Sequence, residues 1–262
     1  PYRRQRQMCI RDRESDLAEM MNLGGDERIY PASMTKIMTA LLTIENLPDL
    51  NETITVPEDI FEELTAQDAS VAGFNPYEQP TVRDLLYGVL LPSGADACET
   101  LARAVGGSEE GFVAMMNQKA EELGLTNTHF ENCTGLHNDN HYSTCRDIAV
   151  LMSECLKSDT FREIVTREVY TTEATASHPE GITLYDTMLH RFTSYEMSTT
   201  LENGAVIEGG KTGFTDEAGQ CLVSFAEYGG EEYILVTAEA MTDSGSAVDS
   251  IADASTVYGR LQ

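Results

Sequence analysis

The chain has 262 residues, 41% of them apolar, with 7% aromatics and no tryptophan, enough for one large domain or two modest ones with a sizeable core. Its formal charge of −27 excludes the basic face with which a nucleic-acid binder displaces counterions, and it opposes simple adhesion to anionic lipid. No apolar run approaches the roughly 18 residues of a membrane span, so no membrane span is expected in this chain.

The charge is unevenly spread. Residues 1–13, PYRRQRQMCIRDR, hold five arginines, whereas the whole chain has four lysines. The segment has neither the apolar run nor the small-residue cleavage site of a signal peptide. It resembles translated adapter sequence, and on that reading residues 1–13 are non-native, the domain proper is 14–262, and its N-terminal strand and any export signal are missing from the gene model.

Along the rest of the chain no repeat, low-complexity tract or linker interrupts a single unit. Ile37, Ala40, Leu41 and Ile44 recur at helical spacing, predicting a helix from Ser33 to about Asn46, ended by Pro48 and Asp49. ETITVPED (52–59) reads as a short strand. A helix opens at Thr81-Val82-Arg83-Asp84 and stops at Pro92, and a second runs from Asp96 to Val105 before Gly106-Gly107. A third starts at Ser108 and reaches Gly124, and residues 144–157 form another amphipathic helix. The last quarter changes character. CLVSFAEY (221–228) and EEYILVTAEAM (231–241) are strands joined by a Gly229-Gly230 hairpin, with a third strand over 206–215 and a closing helix over 249–261. An antiparallel sheet late in the chain and helices in its middle predict an α+β domain of two lobes with a cleft between them.

Three short motifs fall at wide intervals: Ser33-Met34-Thr35-Lys36, Ser93-Gly94-Ala95 and Lys211-Thr212-Gly213. Residues i and i+3 of a helix share a face, which makes Ser33 and Lys36 neighbours. A serine hydroxyl needs an adjacent base, and a neutral lysine can serve. Lysine titrates near about 10.4 in water, so burial or a second cation such as Lys211 must lower it. Taken singly each motif is ordinary: SxxK recurs by chance, Ser93 reads as the N-cap of the next helix, and KTG reads as a turn.

The three together, in this order, resemble the signature of penicillin-binding proteins and class A β-lactamases. With their flanks, PASMTKIMTALL, LLYGVLLPSGADACETLA, NCTGLHNDNHYSTCRDIAVLM and EGGKTGFTDEAGQCLVSFA, they resemble the serine-type D-Ala-D-Ala carboxypeptidases, low-molecular-weight penicillin-binding proteins of peptidase family S11. The resemblance runs from about Asp26 to Glu239. It implies the DD-peptidase/β-lactamase-like fold, an antiparallel sheet flanked by helices plus a helical lobe. It also implies that a stem peptide ending in D-Ala-D-Ala is the substrate, that β-lactam antibiotics are acylating inhibitors, that no cofactor or metal is needed, and that the protein works outside the cytoplasm. Carried over residue by residue, Ser33 is the nucleophile, Lys36 its base and Ser93 a proton relay. Lys211, Thr212 and Gly213 form the substrate-binding edge, and the backbone N–H groups of Ser33 and Phe214 form the oxyanion hole. One departure stands out. The second motif of the family is usually Ser-x-Asn, and Ala95 removes the amide that supports the lysine. A weakened homologue that binds the cell wall is therefore an alternative, and a β-lactamase a lesser one, since no Glu-x-x-Leu-Asn-type segment occurs.

Other features read more plainly. HNDNH (137–141), with His129, has the look of a metal cluster, but its glycine and asparagines predict a loop. Acid pairs such as Glu109-Glu110, Glu121-Glu122 and Glu231-Glu232 read as solvated faces, and Met20-Met21 and Met115-Met116 as core fillers. The cysteines show no metal or framework spacing; buried thiols are expected, with a Cys133–Cys145 bridge as the alternative.

Overall fold

The computed structural model describes residues 7–12, 18–240 and 248–262. Strands β1 (Gln7–Asp12) and β2 (Ala18–Leu23) lead to a 3-10 turn over Ala32–Thr35 that runs directly into α1 (Lys36–Asn46). Helices α2 (Ile60–Ala66), α3 (Val82–Leu90), α4 (Ala95–Gly106), α5 (Glu109–Glu122), α6 (Cys145–Cys155) and α7 (Asp159–Val165) follow. A small hairpin of β3 (Val169–Thr171) and β4 (Thr183–Tyr185) precedes α8 (Leu189–Ser194). The chain closes with β5 (Val206–Thr215), β6 (Gly219–Tyr228), β7 (Glu231–Ala240) and α9 (Val248–Tyr258).

The main sheet is antiparallel, in the order β2-β1-β7-β6-β5. Both faces of its centre are covered, which is why β6 and β7 read as nearly unbroken apolar runs. The alternation survives inside them. Cys221, Val223 and Phe225 on β6 and Ile234, Val236 and Ala238 on β7 enter the large core shared with the helices. Leu222, Ala226 and Leu235 face the other way, into a smaller core built with Ile251, Ala254 and Tyr258 of α9 and with Met188 and Phe192 around α8. Helices α1 and α3 to α6 form the helical lobe. Helix α1 is buried all round from Lys36 to Thr43, so it is the axis of the lobe rather than an amphipathic cover.

Local chemistry sets the helix starts. Thr81 and Asp84 close a capping box on α3, and Ser108 and Thr144 cap α5 and α6 through their side chains.

The structure departs from the sequence reading in several places. Residues 52–59 form no strand. Thr53 makes a single bridge to Thr81, and Ile54 and Val56 donate to Pro80 and Glu78 of an irregular loop, too briefly for a ladder. Gln7–Asp12, inside the arginine-rich segment, form β1, with Cys9 opposite Val236 and Ile10 opposite Leu235, so β7 is an inner strand instead of an open edge. Residues 1–6 and 13 of that segment, and Met241 at the end of the expected last strand, lie outside the described residues. Met20 and Met21 are 53% and 37% exposed, because β2 is the outer strand of the sheet and residues 19–23 are exposed on both faces. All six cysteines are buried and unbonded, so Cys133 and Cys145 form no bridge. Among the described residues no helix is long and apolar enough to cross a membrane.

The seat of α9 on the sheet depends on one hydroxyl. Tyr258 Oη donates to the Ser224 carbonyl at 2.9 Å and accepts the Leu235 N–H at 3.1 Å, with its ring fully buried. Tyr258→Phe keeps the shape and orphans both groups. Denaturant unfolding should show a loss of about 1–3 kcal/mol with an unchanged m-value.

Candidate active site

The site lies where the free side of β5 meets the 3-10 turn that begins α1. Two glycines let backbone close around Ser33. At Gly213 a Cβ would stand 3.0 Å from the Ser33 nitrogen and 3.1 Å from the Pro31 oxygen. At Gly135, with φ +82°, a Cβ would meet the Ala32 oxygen at 2.0 Å. Ala32 itself holds φ +46°, a strained value for alanine, and so turns the chain sharply into the serine.

The i, i+3 pair forms as the spacing predicts. Lys36 Nζ lies 3.1 Å from Ser33 Oγ. Ser33 is half-buried and Lys36 is 3% exposed. Burial lowers the Lys36 pKa, against the opposing pull of Cys98, Cys133 and Asp96. The second contact of Nζ is a backbone carbonyl, that of Thr134, at 2.5 Å. Its loop is fastened to α1 by Thr39 Oγ1, which donates to the Cys133 carbonyl at 2.6 Å. Asn132 Oδ1 stiffens the loop by accepting from the N–H groups of Thr134 and Gly135.

Ser93 is not an N-cap. Gly94 occupies that position, and no side chain caps α4. Ser93 holds φ +67°, is 7% exposed, and its Oγ has no hydrogen-bond partner. A buried hydroxyl without a partner, on strained backbone, is costly unless something else uses it. Ala95 is buried and donates its N–H to the Ser70 carbonyl at 2.7 Å, but it offers Lys36 no polar group. Asp96, the second residue of α4, is buried. It accepts from the N–H groups of Ala72, Gly73 and Phe74 at 2.7, 3.0 and 3.0 Å, which fixes the 72–74 loop beside the start of α4.

On β5, Lys211 is fully buried, and its Nζ donates to the Thr212 carbonyl at 3.1 Å. Its pKa is lowered, by burial first and then by the charge of Lys36. The sequence reading made Lys211 a second cation that lowers Lys36; the effect runs the other way, from Lys36 to Lys211, and burial is the dominant cause at both lysines. The balancing acid is Asp186, which sequence reasoning missed. It is 1% exposed, raised by burial, and accepts from the N–H groups of Met188 and Leu189 at 2.8 and 2.6 Å. Next to it, Thr187 Oγ1 lies 2.6 Å from Thr212 Oγ1 and orients that hydroxyl. Phe214 follows with its side chain 53% exposed, opposite Gln220 in the ladder.

The histidine loop and the acid pairs resolve differently from one another. His141 is 2% exposed and both ring nitrogens are occupied, Nε2 with Thr35 Oγ1 at 2.8 Å and Nδ1 with the Glu131 N–H at 3.1 Å. It therefore braces the serine turn, and its nitrogens are not free to ligate. Glu121 and Glu122 are exposed, as a solvated face should be. Glu232 instead pairs with Arg162 at 2.6 Å. Glu109 turns inward while Glu110 stays outside, because a carboxyl at the first turn of α5 can reach the Cys133 N–H and the buried Glu99.

The family model Peptidase S11, D-alanyl-D-alanine carboxypeptidase, matches residues 17–242. The chain is 35% identical over 231 residues to D-alanyl-D-alanine carboxypeptidase DacF of Bacillus subtilis, covering 87% of this chain and 56% of that protein. It is 36% identical over 217 residues to a D-alanyl-D-alanine carboxypeptidase of Streptomyces sp. strain K15, covering 80% of this chain and 72% of that one. The crystal structure of the Streptomyces K15 DD-transpeptidase superposes with a TM-score of 0.81 at 30% identity, over 96% of this chain and 95% of that chain. The chain thus has the fold of the DD-peptidases, and it spans little more than half the length of the Bacillus relative.

Burial holds His141 near a pKa of about 3, against an ordinary value of 6.5. The folded state keeps it neutral while the unfolded chain takes up a proton below pH 6.5, so its contribution to stability is complete above that pH and is lost on acidification toward pH 3. Unfolding free energies followed across this window should fall on the acid side by up to roughly 1.4 kcal/mol per pH unit. His141→Gln should be less stable at neutral pH but show a shallower acid decline.

Proposed function

Because the chain belongs to the D-alanyl-D-alanine carboxypeptidase family, we propose that it is a serine peptidase that removes the terminal D-Ala from peptidoglycan stem peptides. The observation that carries this reading is the 3.1 Å contact between Ser33 Oγ and the Nζ of a lysine lowered by burial. Neutral Lys36 takes the Ser33 proton, and Oγ attacks the carbonyl of the penultimate D-Ala. The N–H groups of Ser33 and Phe214 receive the oxyanion; removing one such donor typically costs on the order of 10² to 10³ in turnover. Ser93, whose hydroxyl has no partner of its own, passes a proton to the departing D-Ala amine and later serves the deacylating water. Lys211 and Thr212 meet the terminal carboxylate. An arriving anion restores the charged form of Lys211 that burial disfavours, so binding of the carboxylate and protonation of the lysine support each other. Gly213 keeps β5 close to the serine turn.

The substrate lies outside the cytoplasmic membrane, which makes an extracytoplasmic location part of the proposal. No step calls for a metal or an organic cofactor. β-Lactam antibiotics present a strained amide to the same hydroxyl and form a stable ester with it. The sequence holds no Glu-x-x-Leu-Asn-type segment to supply a deacylating carboxylate, which supports a slow release of that ester over β-lactamase action. The weakened-homologue reading rested on Ala95, and the Thr134 carbonyl already gives Lys36 a polar contact of 2.5 Å.

A labelled penicillin tests the proposal. It should form a long-lived adduct at Ser33, and the protein should release D-Ala from a diacylated D-Ala-D-Ala peptide; no adduct under conditions that label a known penicillin-binding protein would sink the reading. Lys36→Ala should lower acylation by on the order of 10² to 10⁴ while leaving the circular dichroism spectrum unchanged. Rapid hydrolysis of the adduct would favour a β-lactamase, and a large gain of turnover in Ala95→Asn would favour the weakened homologue.

A further inference from the structure

Glu99 and Glu109 belong to none of the three motifs, yet both carboxyl groups meet at the loop that holds Lys36. Glu99 lies one turn beyond Ala95 on α4 and is 7% exposed; Glu109 is the half-buried first residue of α5. A carboxylate oxygen of each and Cys133 Sγ all fall within 4.8 Å of one another. Cys133 donates to both acids, its Sγ–H to Glu99 Oε1 at 3.4 Å and its backbone N–H to Glu109 Oε1 at 3.2 Å. Its carbonyl accepts Thr39 Oγ1, and the next carbonyl in the chain, that of Thr134, receives Lys36 Nζ.

We propose that the Glu99–Glu109 pair is a positioning element for Lys36: acting through Cys133, it fixes the short stretch of backbone whose Thr134 carbonyl holds the lysine, giving the support that Ala95 does not. The proposal rests on the reading of Lys36 as the base for Ser33. Two carboxyl groups this close and this sheltered share one proton, because ionising both sets like charges in contact. Burial first, and Glu109 second, push the Glu99 pKa up to about 8. Below that pH Glu99 keeps its proton and hydrogen-bonds Glu109; above it two carboxylates repel each other and the joint hold on Cys133 loosens.

The charged and titratable groups facing the pair are few. Arg103 Nε stands 3.9 Å from Glu99 and is itself engaged by Asp59 at 2.7 Å. Glu63, Glu131 and His137 line the open cavity in front of the two acids, and Cys98 lies on the buried side toward Lys36. Arg103 moderates the repulsion, and the cavity gives water a path to the shared proton. The pH sense of the device is distinctive. Deprotonating Lys36 makes it a better base, and deprotonating Lys211 weakens binding of a carboxylate. A fall in the saturated acylation rate on the alkaline side is assigned to the acid pair where Glu99→Gln, which leaves both lysines in place, removes it.

The experiment measures the acylation rate constant at saturating labelled penicillin from about pH 6 to about pH 10, with thermal unfolding in parallel. The unaltered protein should lose acylation rate above a midpoint of about 8. In Glu99→Gln, whose amide can donate to Glu109 at every pH, that alkaline loss should vanish or move up by about one unit or more. Glu109→Ala removes the acceptor of the Cys133 N–H and should slow acylation roughly tenfold at neutral pH, with penicillin affinity held within about twofold. Should Glu109→Ala not fold, Glu109→Gln, which keeps an acceptor oxygen, should acylate at neutral pH and lose the alkaline step. An unchanged alkaline limb in folded Glu99→Gln, or an unchanged rate in folded Glu109→Ala, overturns the proposal. Absence of any adduct in the unaltered protein overturns the underlying reading of Ser33 instead, so the two failures are distinguishable.

Discussion

A primary amine with 3% of its surface exposed is the constraint around which this structure is arranged. In water the charged form of lysine is strongly preferred, and burial reverses part of that preference only if the nitrogen still has partners. Lys36 has two, one useful to chemistry and one structural: a serine hydroxyl and a backbone carbonyl. The apolar surround of α1 supplies the desolvation, the 3-10 turn supplies the hydroxyl, and the 132–136 loop supplies the carbonyl. Each of these is secured by something further away, His141 under the turn and Thr39 and Asn132 along the loop. The site is therefore a property of the helical lobe as a whole, on which β5 closes from the side.

How much of this could be read from residues alone depends on which atoms carry the information. Strands 221–228 and 231–240 were legible because burial on both faces leaves a nearly unbroken apolar text, and helices α1 and α3 to α6 because apolar spacing marks them, helped by side-chain caps at α3, α5 and α6. Helices α2, α7 and α8 are six or seven residues long, too short for a period to declare itself, and the β3–β4 hairpin has three-residue strands. Strand β1 was hidden by composition. Its pairing uses backbone groups, which every sequence possesses, and its arginine-rich context argued against any part in the sheet.

The same division runs through the site. Ser33, Lys36 and Lys211 announce themselves because side-chain chemistry at fixed spacing is visible in a sequence. The carbonyl of Thr134 is not, since a main-chain atom has no signature of its own. Asp186 sits in a loop without a motif, and only the fold brings it toward Lys211. Glu109 misled for a related reason. Beside Glu110 at a helix start it has every mark of a solvated acid, and what turns it inward is a neighbour 24 positions away.

The distribution of the four lysines has a practical consequence for anyone handling the protein. Lys36 and Lys211 are sealed in the interior, while Lys157 is 63% exposed and Lys119 20% exposed. Amine-directed dyes, biotin esters and crosslinkers thus have only two side-chain targets on the folded surface, on α5 and just after α6. A protein tethered or coloured through those two positions carries its modification away from the serine turn, so immobilised or fluorescent preparations can be made without acylating the amine on which the site depends.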